Sequence, residues 1–201
     1  MMRWMAHPMA KPAGFLLCLL PAFWLIWAAV VGDLGPNPAE ALIRSLGDWT
    51  LRFLVIALMV TPLRVTLDWS WLARWRRMLG LFVFFYATLH WLSYVWFDMG
   101  LDVYAVLADI PQRPFILVGT LAWLLLLALA CTSFNQAARW LGAPRWRSLH
   151  KTVYAIAMLG VLHFFWMRAG KNDFAEVAVY ALLMAALLGW RLQRFLRTTH
   201  A

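Results

Sequence analysis

Charged residues are scarce in this sequence. Only 13% of its 201 residues are charged, whereas 64% are hydrophobic, and the mean hydropathy is +0.70. A soluble domain carries about twice this proportion of charge. The composition argues against a water-soluble enzyme or nucleic-acid-binding domain, and any function must reside in the apolar part of the chain.

Cysteines and the common catalytic motifs are also scarce. The two cysteines, Cys18 and Cys131, lie inside apolar runs and lack CxxC or metal-site spacing. No GxGxxG, P-loop, Ser-His-Asp arrangement or HExxH motif occurs. The sequence therefore indicates neither a disulfide framework nor a zinc site, and it offers no familiar nucleotide-binding or hydrolytic motif.

Long hydrophobic runs dominate the chain instead. A helix needs about 17 to 25 mostly apolar residues to cross the ~30 Å hydrocarbon layer of a bilayer. Six stretches approach or reach this length, which predicts an all-α integral membrane protein with a six-helix bundle in a single domain over residues 1–201. The predicted spans are 14–31, 49–65, 78–97, 115–133, 150–167 and 174–190.

The distribution of charge predicts the direction of the helices. The net charge is +9, and the basic residues lie between apolar runs rather than on one polar face. With the N-terminus inside, thirteen of the 18 Lys and Arg residues fall on the inner side and five on the outer. Because basic residues concentrate on the cytoplasmic side, both termini are expected in the cytoplasm.

Two histidines lie inside predicted spans at matching depth. His90 follows the start of the third span by about 18 Å of helix, and His163 follows the start of the fifth by about 19.5 Å. Both spans run from inside to outside, and the flanking residues are apolar. Two neutral imidazoles at one depth predict the axial ligands of a haem iron. The alternative is that each histidine only hydrogen-bonds to a neighbouring helix.

A third histidine leaves the number of haems open. His150 precedes His163 by thirteen residues, so the two cannot bind one iron, although His150 would suit a second haem nearer the inner face. The positions expected to supply its partner ligand are Arg76 and Arg77. These arginines would suit haem propionates or a flavin phosphate, and anchoring at the inner membrane surface explains them equally well.

Three stretches of the chain resemble the MsrQ family, formerly YedZ. This family consists of haem-binding membrane subunits of bacterial methionine sulfoxide reductase systems, within the ferric-reductase-like transmembrane superfamily. The resemblance extends over nearly the whole chain. The stretches are RRMLGLFVFFYATLHWLSYVWFD (76–98), RPFILVGTLAWLLLLALACTS (113–133) and RWRSLHKTVYAIAMLGVLHFFW (145–166).

The resemblance implies a b-type cytochrome of the bacterial inner membrane. It implies that electrons come from the quinone pool or a cytoplasmic flavin reductase. They would pass through haem to a periplasmic molybdopterin subunit that repairs oxidised methionine in periplasmic proteins. FMN is also implied as a cofactor, without named residues. His90 and His163 match the family's haem-ligand positions, and His150 matches its third histidine.

The outer side of the predicted bundle is acidic. Asp98, Asp102 and Asp109 lie in one outer loop, where charge alone suggests that the periplasmic partner docks.

Two other functions are weighed against electron transfer to that partner. A stand-alone metalloreductase would reduce external ferric or cupric chelates and would need a separate dehydrogenase on the inner side. A proton transporter would require intramembrane carboxylates or broken helices at mid-depth, and neither is found in the sequence.

Overall fold

Helices account for all regular secondary structure in the described part of the chain. The computed structural model describes residue 7, residues 9–170 and residues 172–199, with only the backbone of the last two. A short 3₁₀ helix (Ser70–Arg74) precedes α3. The α-helices are α1 (Ala10–Val31), α2 (Pro38–Thr66), α3 (Arg76–Phe97), α4 (Val103–Gln112), α5 (Pro114–Cys131), α6 (Asn135–His150), α7 (Val153–Ala169) and α8 (Ala175–Thr199).

Six membrane-length segments confirm the predicted number of spans. Within the described residues, six helical segments are long and apolar enough to cross a membrane. They correspond to α1, α2, α3, α5, the continuous stretch of α6 and α7, and α8. Large apolar side chains cover their outer surfaces, and Val30 on α1 is 80% exposed. Such a surface suits lipid contact. The chain is therefore a multi-pass, all-α membrane protein.

The second span begins well before its predicted start at residue 49. Helix α2 starts at Pro38, where the Asn37 side chain accepts a hydrogen bond from the amide of Glu40 at 3.3 Å. Proline suits the first position of a helix because its missing N–H would have no partner there. Glu40 then pairs with Arg44 one turn later. These polar residues lower the local hydropathy, so the hydrophobic run marks only the later part of the helix.

Two connections between predicted spans contain helices. Helix α4 begins where the Asp102 carboxylate accepts hydrogen bonds from the amides of Tyr104 and Ala105, at 2.8 and 3.1 Å. Helix α6 is interrupted at Gly142, whose φ of 71° places it in the left-handed region that favours glycine. His150 ends α6, and α7 begins at Val153 within the same membrane-length stretch.

The chain divides into two compact units, Met1–Leu101 and Asp102–Ala201. In the first unit, α2 and α3 pack antiparallel along each other, with α1 beside them. An aromatic cluster fills the space between these helices. Its members are Phe15, Trp49, Phe53, Phe82, Phe85 and Tyr86.

In the second unit, α5 and α7 form the main antiparallel pair. Helix α8 packs on α7, where the Phe164 ring meets Tyr180 edge to face at 5.8 Å and the Arg191 guanidinium lies 5.8 Å from the Tyr154 ring. Helix α4 contacts the start of α5. Each unit thus contains one long antiparallel helix pair, and each pair carries one of the two intramembrane histidines.

Candidate functional site

His90 lies on α3 with its imidazole against α2. Its Nδ1 atom is 2.8 Å from the carbonyl oxygen of Ile43. A carbonyl oxygen can only accept a hydrogen bond, so Nδ1 carries the ring proton and donates it. In this tautomer Nε2 carries the lone pair, which is the form in which a histidine binds a metal ion through Nε2.

Gly47 allows the His90 ring to approach that carbonyl. A Cβ atom at position 47 would lie 3.1 Å from Cε1 of His90 and 3.3 Å from Nδ1. Both separations are shorter than the optimal contact of about 3.5 to 4.0 Å between non-bonded atoms. The imidazole therefore occupies the space that a side chain at position 47 would need.

His163 lies on α7 with its imidazole against α5. Its Nδ1 atom is 2.7 Å from the carbonyl oxygen of Phe115, so this ring also carries its proton on Nδ1. A Cβ atom at position 119 would lie 2.8 Å from that Nδ1 and 2.9 Å from Cε1. Gly119 is therefore even closer to its histidine than Gly47 is to His90.

The same local arrangement thus occurs once in each unit, and we call it a histidine socket. In each socket a backbone carbonyl accepts the Nδ1 proton, and a glycine one helical turn later lies under the ring. The carbonyl and the histidine are separated by 47 residues in one unit and 48 in the other. The first socket is Ile43, Gly47 and His90; the second is Phe115, Gly119 and His163.

The sockets match what an iron-bound imidazole requires. Metal-ligating histidines almost always donate their other N–H to a carbonyl or carboxylate, which fixes the tautomer and the ring orientation. Both sockets supply such a carbonyl and present Nε2 in its unprotonated form. Each socket by itself therefore fits ligation of a haem iron through Nε2 of its histidine.

His150 has different surroundings. Its Nε2 lies 3.2 Å from Oγ1 of Thr132, and its ring stacks on Trp146 at 4.0 Å. The Thr132 hydroxyl also lies 2.7 Å from the Ala128 carbonyl. His150 thus makes its hydrogen bond through Nε2, whereas the socket histidines make theirs to a carbonyl through Nδ1. The contacts hold the end of α6 against α5, and ligation of a second haem stays a prediction.

Arg76 and Arg77 are the first two residues of α3, and both are exposed. They precede His90 by fourteen and thirteen residues, which is about 20 Å along the helix. Binding of a cofactor anion by these two arginines, at the N-terminal end of α3, stays a prediction.

Arginines that sequence reasoning did not single out lie close to the sockets. Arg44 follows the Ile43 carbonyl directly and pairs with Glu40. Arg113 lies two residues before Phe115 and pairs with Asp109 through two hydrogen bonds, one of them 2.6 Å long. In each unit an arginine with an acidic partner one turn earlier thus lies next to the carbonyl that holds the histidine.

Comparison with known proteins gives the chain its family. A family model described as "Ferric reductase like transmembrane component" matches residues 46–161, which include His90 and both socket glycines. The "Protein-methionine-sulfoxide reductase heme-binding subunit MsrQ" of Polaromonas naphthalenivorans is 62% identical over 94% of this chain and 86% of its own length. The chain belongs to the MsrQ family.

Further MsrQ proteins match over a comparable share of the chain at lower identity. The MsrQ of Herminiimonas arsenicoxydans is 49% identical over 89% of this chain and 82% of its own length. That of Bordetella pertussis is 48% identical over 93% of this chain and 90% of its own length. No solved structure matches the chain. The MsrQ resemblance noted in the sequence is confirmed.

Sequence reasoning identifies both socket histidines but assigns neither glycine to the site. Gly119 is one of three glycines within apolar spans, with Gly80 and Gly160, a feature that permits close approach of another group. Gly47 lies outside the predicted second span. A usable signal exists, because Gly47 precedes His90 by 43 residues and Gly119 precedes His163 by 44.

Proposed function

We propose that this chain is a haem-binding membrane subunit that passes electrons to a methionine sulfoxide reductase. The observation that carries the proposal is the pair of histidine sockets, each of which holds an intramembrane imidazole in the tautomer that iron ligation requires. The printed names of the MsrQ relatives support both the haem and the reductase system.

His90 and His163 are the proposed axial ligands of a b-type haem. Haem bound by these residues supplies a one-electron redox centre within the membrane. The chain's own contribution is that each Nδ1–H group donates a hydrogen bond to a backbone carbonyl oxygen. These hydrogen bonds fix the direction of the ligand nitrogens. Ligation by both histidines would leave the iron without an open position, which would favour electron transfer over binding of oxygen or substrate at the iron.

The proposed path of electrons runs from the inner side of the bacterial inner membrane to the periplasm. The donor is the quinone pool or a cytoplasmic flavin reductase, and the acceptor is a periplasmic molybdopterin-containing methionine sulfoxide reductase. This direction rests on both termini being cytoplasmic, which the excess of basic residues on the inner side supports. Residues 1–201 would act together as one ferric-reductase-like transmembrane domain.

Arg76, Arg77 and His150 are proposed to serve a second cofactor near the inner face. The exposed guanidinium groups of the two arginines suit the propionates of a second haem or the phosphate of FMN, whose presence only the resemblance implies. His150 would have to leave its hydrogen bond with Thr132 before its Nε2 could bind iron. This second site is therefore tested separately from the first.

The proposal is tested by measuring haem per polypeptide in detergent-purified protein. Wild type, His90→Ala, His163→Ala and His150→Ala are compared by reduced-minus-oxidised spectra. We expect the low-spin b-type signal to disappear in the first two variants and about one haem to remain in the third. Retention of that signal in both His90→Ala and His163→Ala would overturn the assignment of ligands. Two haems in wild type, with one lost in His150→Ala, would establish the inner site.

The same preparation separates this function from a stand-alone metalloreductase. The protein is reduced with dithionite under anaerobic conditions, freed of excess reductant and mixed with ferric citrate or with the purified periplasmic reductase and methionine sulfoxide. Fast haem reoxidation by the reductase system, and slow reoxidation by the chelate, are expected. The reverse order of rates would favour the metalloreductase.

A further inference from the structure

The two socket glycines act on histidines from neighbouring helices. Neither glycine is required by a left-handed backbone conformation, because both lie within helices and neither has a positive φ. Glycine in a helix interior costs roughly 0.5 to 1 kcal/mol relative to alanine. At both Gly47 and Gly119, the imidazole ring of a histidine on the neighbouring helix occupies the space that a Cβ atom would need.

We infer that Gly47 and Gly119 are positioning residues that set the orientation and the electron-donating strength of the two haem-ligand histidines. This inference rests on the proposed function, since it takes His90 and His163 as the axial ligands. Each glycine acts through its histidine and through the carbonyl four residues before it. Neither glycine is itself a ligand.

The contact distances indicate that alanine at either position displaces the ring. At position 119 the added Cβ would lie 2.8 Å from Nδ1 of His163, an overlap that requires movement. At position 47 the shortest separation is 3.1 Å, so a shift of a few tenths of an ångström relieves it. Because each glycine belongs to a regular helix packed along its partner, the imidazole is the group that moves.

Displacement of the ring weakens the hydrogen bond from Nδ1 to the carbonyl. That hydrogen bond draws the proton toward the carbonyl oxygen and makes Nε2 a stronger electron donor. A stronger donor stabilises ferric over ferrous iron, so the intact socket lowers the haem midpoint potential. Loss of the hydrogen bond should shift the potential to a more positive value.

The two sockets should respond to different degrees. Gly47→Ala produces the milder contact and should retain haem with a more positive midpoint potential. Gly119→Ala produces the closer contact and should weaken ligation by His163, giving partial loss of haem or a fraction of high-spin iron. The order of the two effects follows from the Cβ separations of 3.1 and 2.8 Å.

The chain offers matched controls for both substitutions. A Cβ atom at Gly80, on the same helix as His90, would have no atom within 4 Å apart from its chain neighbours and the adjacent backbone of its own helix, and the same is true of Gly189 on α8. Gly80→Ala and Gly189→Ala therefore make the same chemical change in a helix without contacting a histidine.

The experiment uses the full chain purified in detergent with its haem. Size-exclusion profiles first establish which variants are folded. Potentiometric titration and low-temperature electron paramagnetic resonance then report the midpoint potential and the orientation of the ligand planes. We expect shifted potentials and altered g-values for Gly47→Ala and Gly119→Ala, and wild-type values for Gly80→Ala and Gly189→Ala.

Wild-type potential and g-values in both socket variants would overturn the inference. If Gly119→Ala does not fold, the milder Gly47→Ala variant alone decides the outcome by the same readouts. Failure of the proposed function looks different, because in that case His90→Ala and His163→Ala would themselves retain haem.

Discussion

The hydroxyl of Tyr86 donates a hydrogen bond to the carbonyl oxygen of Cys18 at 2.7 Å. The same hydroxyl accepts a hydrogen bond from the amide of Ala22 at 3.1 Å. These backbone groups are four residues apart on α1, the separation that a regular helix joins directly. Pro21 lies between them and disfavours the regular ladder. Tyr86 thus ties α3 to α1 at the point where proline disturbs it.

Tyr86→Phe is expected to lower stability without loss of haem. The substitution removes the bridging hydroxyl, so the Cys18 carbonyl and the Ala22 amide lose this hydrogen-bond partner. The Tyr86 side chain is fully buried. The expected loss is about 1 to 3 kcal/mol. Thermal unfolding in detergent measures it, with Tyr104→Phe, whose residue is 85% exposed, as the control. Equal melting temperatures for the two variants would contradict the bridging role.

Thr132→Val tests whether His150 is a structural residue. Valine keeps the shape of threonine but cannot form a hydrogen bond with His150 Nε2. We expect a loss of about 1 kcal/mol in thermal stability and an unchanged haem content. His150→Ala should behave in the same way. Reduced haem content in His150→Ala alone would instead indicate that His150 binds a haem.

Arg168 joins the end of α7 to the start of α8. Its guanidinium donates to Asp173 at 3.0 Å and to Glu176 at 2.5 Å, and it lies 5.2 Å from the Phe164 ring. Arg168→Gln should lower the free energy of unfolding by about 1 kcal/mol, because ion pairs with exposed acidic partners are weak.

The salt dependence of this loss of stability measures the contribution of the ion pairs of Arg168. The difference in melting temperature between wild type and Arg168→Gln should shrink as ionic strength rises, since salt screens exposed charges. Arg139→Gln is the control, because Arg139 forms no ion pair within the described part of the chain. A difference that does not change with salt would show that packing on Phe164, rather than charge, carries the effect.

Asp98 is the clearest test of the prediction that the partner docks at the acidic loop of Asp98, Asp102 and Asp109. Asp102 caps α4 and Asp109 pairs with Arg113, so replacing either also perturbs the fold. Asp98 is exposed at the end of α3. Asp98→Asn should slow haem reoxidation by the periplasmic reductase several-fold at low salt, and less at high salt, because charge steers association. If electron delivery stays unchanged even after all three carboxylates are neutralised, the docking surface lies elsewhere.

The sequence alone determined the number of spans, the family and the two histidines. Hydropathy is a property of each residue, so its sum along a helix predicts membrane crossing before any packing is known. An imidazole in an apolar span stands out for the same reason, because its burial needs a specific partner. These features depend only on residue type and spacing.

The boundaries of α2 and the surroundings of each histidine were decided by tertiary structure. The polar start of α2 escapes a hydropathy window, yet it carries both Ile43 and Gly47. Nothing in residue type shows that the carbonyls of Ile43 and Phe115 accept the Nδ1 protons. That choice depends on which turn of one helix faces which turn of its neighbour. A backbone acceptor and the clearance left by a missing Cβ exist only once two helices have packed, which is why the sockets could not be read from the chain.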